Sequence, residues 1–211
     1  MHNPLTKKAR EIVWGSLFGD SGIYKSTGSR HYQLKVSHSP KQLGYMKWLE
    51  EHLHPLVNKS GISSKTHYHR IRKKKYTTLM LVTTNHSYFT RLRKYFYPEG
   101  KKRVRRKMLN KLTPLGLAVW FMDDGTTGKN NRNYPQLNLC TCSFSEKDNQ
   151  IIKDYFKEEW DIETRIHHSR GFPRIYFNKP NSKKFINIVK KHLIPEMLYK
   201  IRYFSQPCSA S

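Results

Sequence analysis

LAVWFMDDG, residues 117–125, sets two adjacent aspartates at the end of an uncharged run. Leu117 to Met122 are six consecutive apolar residues, and upstream Thr113 and Pro114 supply a helix cap and a first helical residue. Residues 113–122 therefore predict a helix that is apolar on every side and so buried, with Asp123 and Asp124 just beyond its last turn. An acid there faces the negative end of the helix macrodipole, which disfavours it by about 0.3–1 kcal/mol. Stability alone does not place it.

Working outward, the pattern recurs. Residues 4–19 (PLTKKAREIVWGSLFG) carry apolar positions at helical spacing, with Thr6 as cap and Gly19 near the end, and Asp20 follows. A Gly-rich polar turn comes after each helix, and then a strand, Gln33–Val36 in one case and Gln136–Leu139 in the other. QLKVSHSPKQLGYMKWLEEHL (33–53) answers QLNLCTCSFSEKDNQIIKDYFKEEW (136–160), and GISSKTHYH (61–69) answers DIETRIHHS (161–169). Asn85 and Phe89 answer Asn181 and Phe185, 96 residues on, whereas Asp20 and Asp124 lie 104 apart. This is one duplication with small deletions.

Each half reads α-β-β-α-β-β-α, with repeats at 1–110 and 111–211. The fold class is α/β in the α+β sense: duplicated αββαββα units related by a pseudo-twofold axis. Two antiparallel four-stranded sheets carry helices on one face, and the signature helices meet centrally, where Gly15, Ser16, Gly19, Gly116 and Ala118 permit close approach. The run RIRKKKY (70–76) predicts a hairpin turn.

The totals narrow the partner. With 40 Lys+Arg against 15 Asp+Glu, the formal charge of +25 demands an anionic partner, and nucleic acid is the first candidate. A hydrophobic content of 36% fits a folded chain, and no apolar run approaches the roughly 18 residues that span a bilayer. MHNPLTKKAR lacks a signal peptide's apolar region, so an intracellular soluble protein is expected, with no membrane or small-molecule substrate. Cys140, Cys142 and Cys208 give neither a disulfide framework nor a zinc site. The pairs His67/His69 and His167/His168 have the types to ligate metal, but polar strand positions near phosphate account for them better.

Only five acids occur through residue 110, and Asp20 alone of these lies outside a helix face or strand end. If the halves pack about a twofold axis through the two helices, Asp20 and Asp124 add like-charge repulsion to the dipole penalty, and a divalent cation removes both. Oxygen-only ligation suits Mg²⁺. Carboxylates holding Mg²⁺ in a basic protein are equipment for phosphodiester hydrolysis, and one position per half suits the two strands of a duplex.

WGSLFGDSG (14–22) and LTPLGLAVWFMDDG (112–125), with HLIPEMLYK (192–200) downstream, resemble the motifs of the LAGLIDADG homing endonucleases, in particular the single-chain two-motif branch typified by the yeast mitochondrial omega-intron enzyme. The resemblance covers roughly residues 8–203. It implies a monomer that makes a double-strand break in a long asymmetric DNA site, with the sheets as saddles in successive major grooves. It implies Asp20 and Asp124 as metal ligands, with Gly19 and Asp123 beside them, and Mg²⁺ as cofactor, Mn²⁺ substituting and Ca²⁺ binding without supporting cleavage. It also implies a basic residue from each half near the scissile phosphate. Lys200 matches clearly; its partner falls in GKKRVRR at Lys102, which answers Lys200 in the repeat, with Lys101 as the rival. Two departures stand out: Ser21 replaces the glycine that normally closes the first motif, and Arg105 replaces the proline expected after KK-x-[IV].

Side chains suited to contact double-stranded DNA are Lys35, Ser37, His67, His69, Arg70 and Arg72 in the first half, and Asn138, Arg165, His167, Arg170 and Arg174 in the second. The halves differ at nearly all these positions, which predicts a non-palindromic site. The alternative is an intron RNA maturase or nucleic-acid-binding protein on the same scaffold, which needs neither carboxylate. An organelle matrix (mitochondrion or chloroplast) and a bacterial cytoplasm both stay open.

Overall fold

In the computed structural model, residues 4–71, 73–130 and 133–204 are described. The chain divides into two units, Met1–Phe96 and Tyr97–Ser211, each built on one four-stranded antiparallel sheet. No helix among the described residues is long and apolar enough to cross a membrane.

The first unit runs α1 (Lys7–Ser16), β1 (Gly22–Lys25), β2 (Tyr32–His38), α2 (Leu43–Leu53), β3 (Val57–His69), β4 (Lys74–Thr83) and α3 (Ser87–Phe96). Its sheet order is β1-β2-β4-β3. Thr6 caps α1, accepting from the Ala9 amide at 3.1 Å. In β2, buried Leu34, Val36 and His38 alternate with the more open Gln33, Lys35 and Ser37, the period of a sheet with one covered face. The core of this unit includes Ile12, Val13, Leu49 and Phe89, all fully buried, and Trp14 and Phe18 close it edge-on to Phe96 at 5.0 and 5.5 Å. A bulge in β3 shifts the register between Val57 and Ile62; Gly61 takes the positive φ of 58° it needs, and Glu50 accepts from the Ile62 amide at 3.0 Å.

The second unit repeats the order: α4 (Arg106–Leu109), α5 (Pro114–Asp124), β5 (Gly125–Lys129), β6 (Pro135–Cys140), α6 (Glu146–Trp160), β7 (Arg165–Ser169), β8 (Phe172–Phe177) and α7 (Lys179–Val189), then 3-10 turns at Lys190–His192 and Pro195–Phe204. Its sheet order is β5-β6-β8-β7. Eight of the eleven α5 residues are buried, as its uniformly apolar sequence demands. Around it Phe121, Phe156, Phe177 and Phe185 form an aromatic cluster with ring centroids 5.2–5.9 Å apart. Ser145 and Asp148 form a capping box at the start of α6.

Residues 97–110, which the restart of the repeat assigns to the first half, pack within the second unit. Buried Asp148 takes the Arg103 guanidinium at 3.1 Å and the Val104 amide at 3.3 Å, and Arg106 pairs with Glu158 and Glu159. The helix ends also differ from expectation. α5 continues through Asp124, because the Gly125 amide still donates to the Phe121 carbonyl. A Cβ at Gly125 would overlap the Phe121 ring, which explains the glycine. α1 stops at Ser16 and tightens: Phe18 and Gly19 donate to Gly15 and Ser16 at 3.0 Å, and Ser21 to Ser16 at 3.1 Å, so Asp20 sits in a turn.

Candidate functional site

In the first unit, Asp20 projects from that turn with 42% of its side chain exposed. Its Oδ2 lies 3.5 Å from Nδ1 of His38, whose ring is 2% exposed and packs edge-on to Tyr45 at 5.1 Å. The two open into a cleft of about 470 Å³ shared with Ser37, Gln42, His67 and Tyr76. Ser21 is buried directly after Asp20, so the missing motif glycine is accommodated by a small side chain.

In the second unit, Asp124 is the half-buried last residue of α5, and Asp123 is buried at 8% exposure. Lys200 covers this helix end, its Nζ donating to the carbonyls of Phe121, Asp123 and Gly125 at 3.3, 3.2 and 2.9 Å. A cation there complements the negative pole of α5. The Thr127 hydroxyl donates to the Lys200 carbonyl, tying the C-terminal turn to β5. Beside it, Gly125, Thr126, Tyr199, Lys200 and Arg202 line a cleft of about 440 Å³. Burial, helped by the Cys142 thiol at 2.9 Å and by the Asp124 charge, pushes the Cys140 thiol up to about 11, so it stays protonated near neutrality.

Lys102 lies in the second unit, its ammonium 5.8 Å from the centroid of Phe144, while Lys101 is exposed. The donor set fits a hard divalent cation: each unit presents one accessible carboxylate where its signature helix ends and its first strand begins.

The register sorts the DNA candidates. Lys35 and Ser37 on β2 share the open face of the first sheet with His67 on β3, across from Val82, Met80 and Tyr76 of β4. Backbone parity places His69 on that face too; its side chain lies outside the described residues, as does Arg72. Arg70 is exposed in the hairpin turn. On the second sheet Asn138, Arg165, His167 and Arg174 share the open face, and Arg170 sits in the β7–β8 turn with φ 53°. His167 and His168 point to opposite faces, and His168 meets Glu146 at 3.1 Å, so the two do not share an ion.

Two features escape sequence reasoning. The histidines on the open faces stack on tyrosines, His167 on Tyr176 at 4.2 Å and His67 on Tyr76 at 6.1 Å; the signal was available in the strand alternation. The other is His38, which carries none: the position answering it in the repeat is Thr141, whose hydroxyl is turned to Asn149.

The family described as LAGLIDADG DNA endonuclease matches residues 10–185. A solved structure of the homing endonuclease I-WcaI bound to its DNA recognition sequence superposes with a TM-score of 0.86 at 26% identity, over 95% of this chain and 88% of that one. A probable intron-encoded endonuclease of Wickerhamomyces canadensis is 28% identical over 94% of this chain and 86% of its own. The cytochrome b mRNA maturase bI2 of Debaryomyces hansenii is 24% identical over 95% and 76%. The chain spans about half, 47%, of the length of a matching RecA protein of Mycolicibacterium flavescens, at 25% identity over 93% of this chain.

Proposed function

Since the chain belongs to the LAGLIDADG DNA endonuclease family, we propose that it is a site-specific homing endonuclease that makes a double-strand break in a long asymmetric DNA site. The observation that carries the reading is the duplicated carboxylate: Asp20 and Asp124 stand where the signature helix of each unit gives way to the first strand of its sheet. A solvated helix end has no reason to recur with an acid in register.

Asp20 and Asp124 each hold a divalent cation, with Gly19 and Asp123 adjoining. Mg²⁺ is the working ion, Mn²⁺ substitutes and Ca²⁺ binds without supporting cleavage. Bound there, such an ion supplies an activated water and neutralises charge on the leaving oxygen. Lys200, and Lys102 or Lys101, place positive charge near the scissile phosphates. The open sheet faces read bases, Lys35, Ser37 and His67 in one unit and Asn138, Arg165, His167 and Arg174 in the other, while Arg70 and Arg170 at the hairpin tips contact phosphate. Because the faces differ in chemistry, the chain acts as a monomer on a non-palindromic site. A mitochondrial or chloroplast matrix and a bacterial cytoplasm are both compatible settings.

The likeness to a protein named as an mRNA maturase favours one second reading, an RNA-binding splicing factor on this scaffold. Incubating purified protein with a randomised duplex pool and Mg²⁺, then sequencing cut ends, separates the two. Enrichment of one long asymmetric site is the expected result. No cleavage, together with tight binding of intron RNA, would overturn the endonuclease reading in favour of the maturase.

A further inference from the structure

We infer that His38 is itself a ligand, through Nδ1, of the cation that Asp20 holds, so that the two halves of the protein present metal sites of different chemistry. The inference rests on the metal-binding role proposed for Asp20. His38 occupies the covered face of β2, in line with Leu34 and Val36, where an apolar side chain would fill the core. Burying an imidazole there is costly unless it gains a partner. The Asp20 carboxylate stands 3.5 Å from its Nδ1. This is long for a hydrogen bond, but it resembles the roughly 3.0–3.4 Å between neighbouring ligands of one ion with bonds of about 2.1 Å. Packing against Tyr45 at 5.1 Å fixes the ring plane, so the nitrogen is presented without reorganisation.

The second half lacks this nitrogen. Thr141 answers His38 in the repeat, is fully buried, and donates its hydroxyl to Asn149. At the answering position the second half therefore offers no imidazole, and the Asp124 carboxylate by itself suits Mg²⁺. An imidazole raises affinity for Mn²⁺ and Co²⁺ relative to Mg²⁺, so the Asp20 site, while still taking Mg²⁺, discriminates between these ions more than the Asp124 site does.

Electron spin-echo spectroscopy of the full chain loaded with Mn²⁺ alone reads this directly. The wild type is expected to show nitrogen modulation that changes on labelling with ¹⁵N-histidine, a result that needs no variant to fold. His38→Gln is expected to abolish it. Among the described residues His67 is the other histidine lining the cleft, and loss of the coupling in His67→Gln would overturn the assignment. Bound Mn²⁺ that falls in Asp20→Asn but shows no nitrogen coupling in the wild type would overturn the role of His38 alone. Mn²⁺ uptake indifferent to Asp20→Asn would overturn the proposed role of Asp20 and this inference with it.

Discussion

Lys200 holds the end of α5 through three carbonyls, and the role proposed for it in cleavage would draw on the same ammonium. As a structural group it offsets the helix dipole and satisfies acceptors that the helix leaves open. Lys200→Met keeps the packing against Phe121 and loses both. It is expected to lower stability in urea by about 1–3 kcal/mol and to abolish cutting even where the protein is fully folded; a stable variant that cuts normally would remove Lys200 from the site. Tyr88 and Tyr155 carry a separate expectation. Burial pushes both phenols up to about 12, against an unfolded value near 10. Keeping them neutral stabilises the fold fully below pH 10, and that contribution is lost as pH rises from 10 to 12. Urea midpoints of the Tyr88→Phe, Tyr155→Phe double variant should fall less than wild type over that window. Lys200 was legible because its motif matches a family pattern. His38 was not, because duplication marks only residues present in both copies, and Thr141 stands at the answering position.

At the level of elements, the segment leading into α4 is pinned by one carboxylate. Asp148 is fully buried and accepts from Arg103, Val104 and Ser145, so it both caps α6 and anchors the strap that carries Lys101 and Lys102. Asp148→Ala leaves buried donors unpaired and should cost about 3–5 kcal/mol in urea denaturation; a loss below about 1 kcal/mol would contradict the anchoring. The strap had no signal in the sequence, since Arg103 and Asp148 are 45 residues apart and nothing local links them. α5 was legible from Thr113, Pro114 and its apolar run. The ends of α1 and α5 were misjudged by a few residues, because tightening after Ser16 and continuation through Asp124 depend on single backbone hydrogen bonds rather than on side-chain pattern. The sequence left the facing of Lys35, Ser37, Asn138 and Arg174 open, because period two has two outcomes and only the register of β2 with β4 and of β6 with β8 chooses between them. The β3 bulge at Gly61 was equally unmarked.

For the whole molecule, charge and duplication set the behaviour. A net charge of +25 predicts affinity dominated by phosphate contacts, falling about a thousandfold or more between about 50 and 200 mM salt. Filter binding of the selected duplex across that range checks it, and a flat response would exclude a phosphate-led interface. Within that interface the faces differ, lysine, serine and histidine in one unit and asparagine, arginine and histidine in the other, so a palindromised target should bind less well than the asymmetric one. The central claim is that an acid used twice equips this chain to cut both strands. Asp20→Asn and Asp124→Asn, each assayed on the selected duplex, test it most directly: both should lose double-strand cutting in Mg²⁺ while binding in Ca²⁺ stays largely intact. Undiminished cutting by both variants would contradict the account.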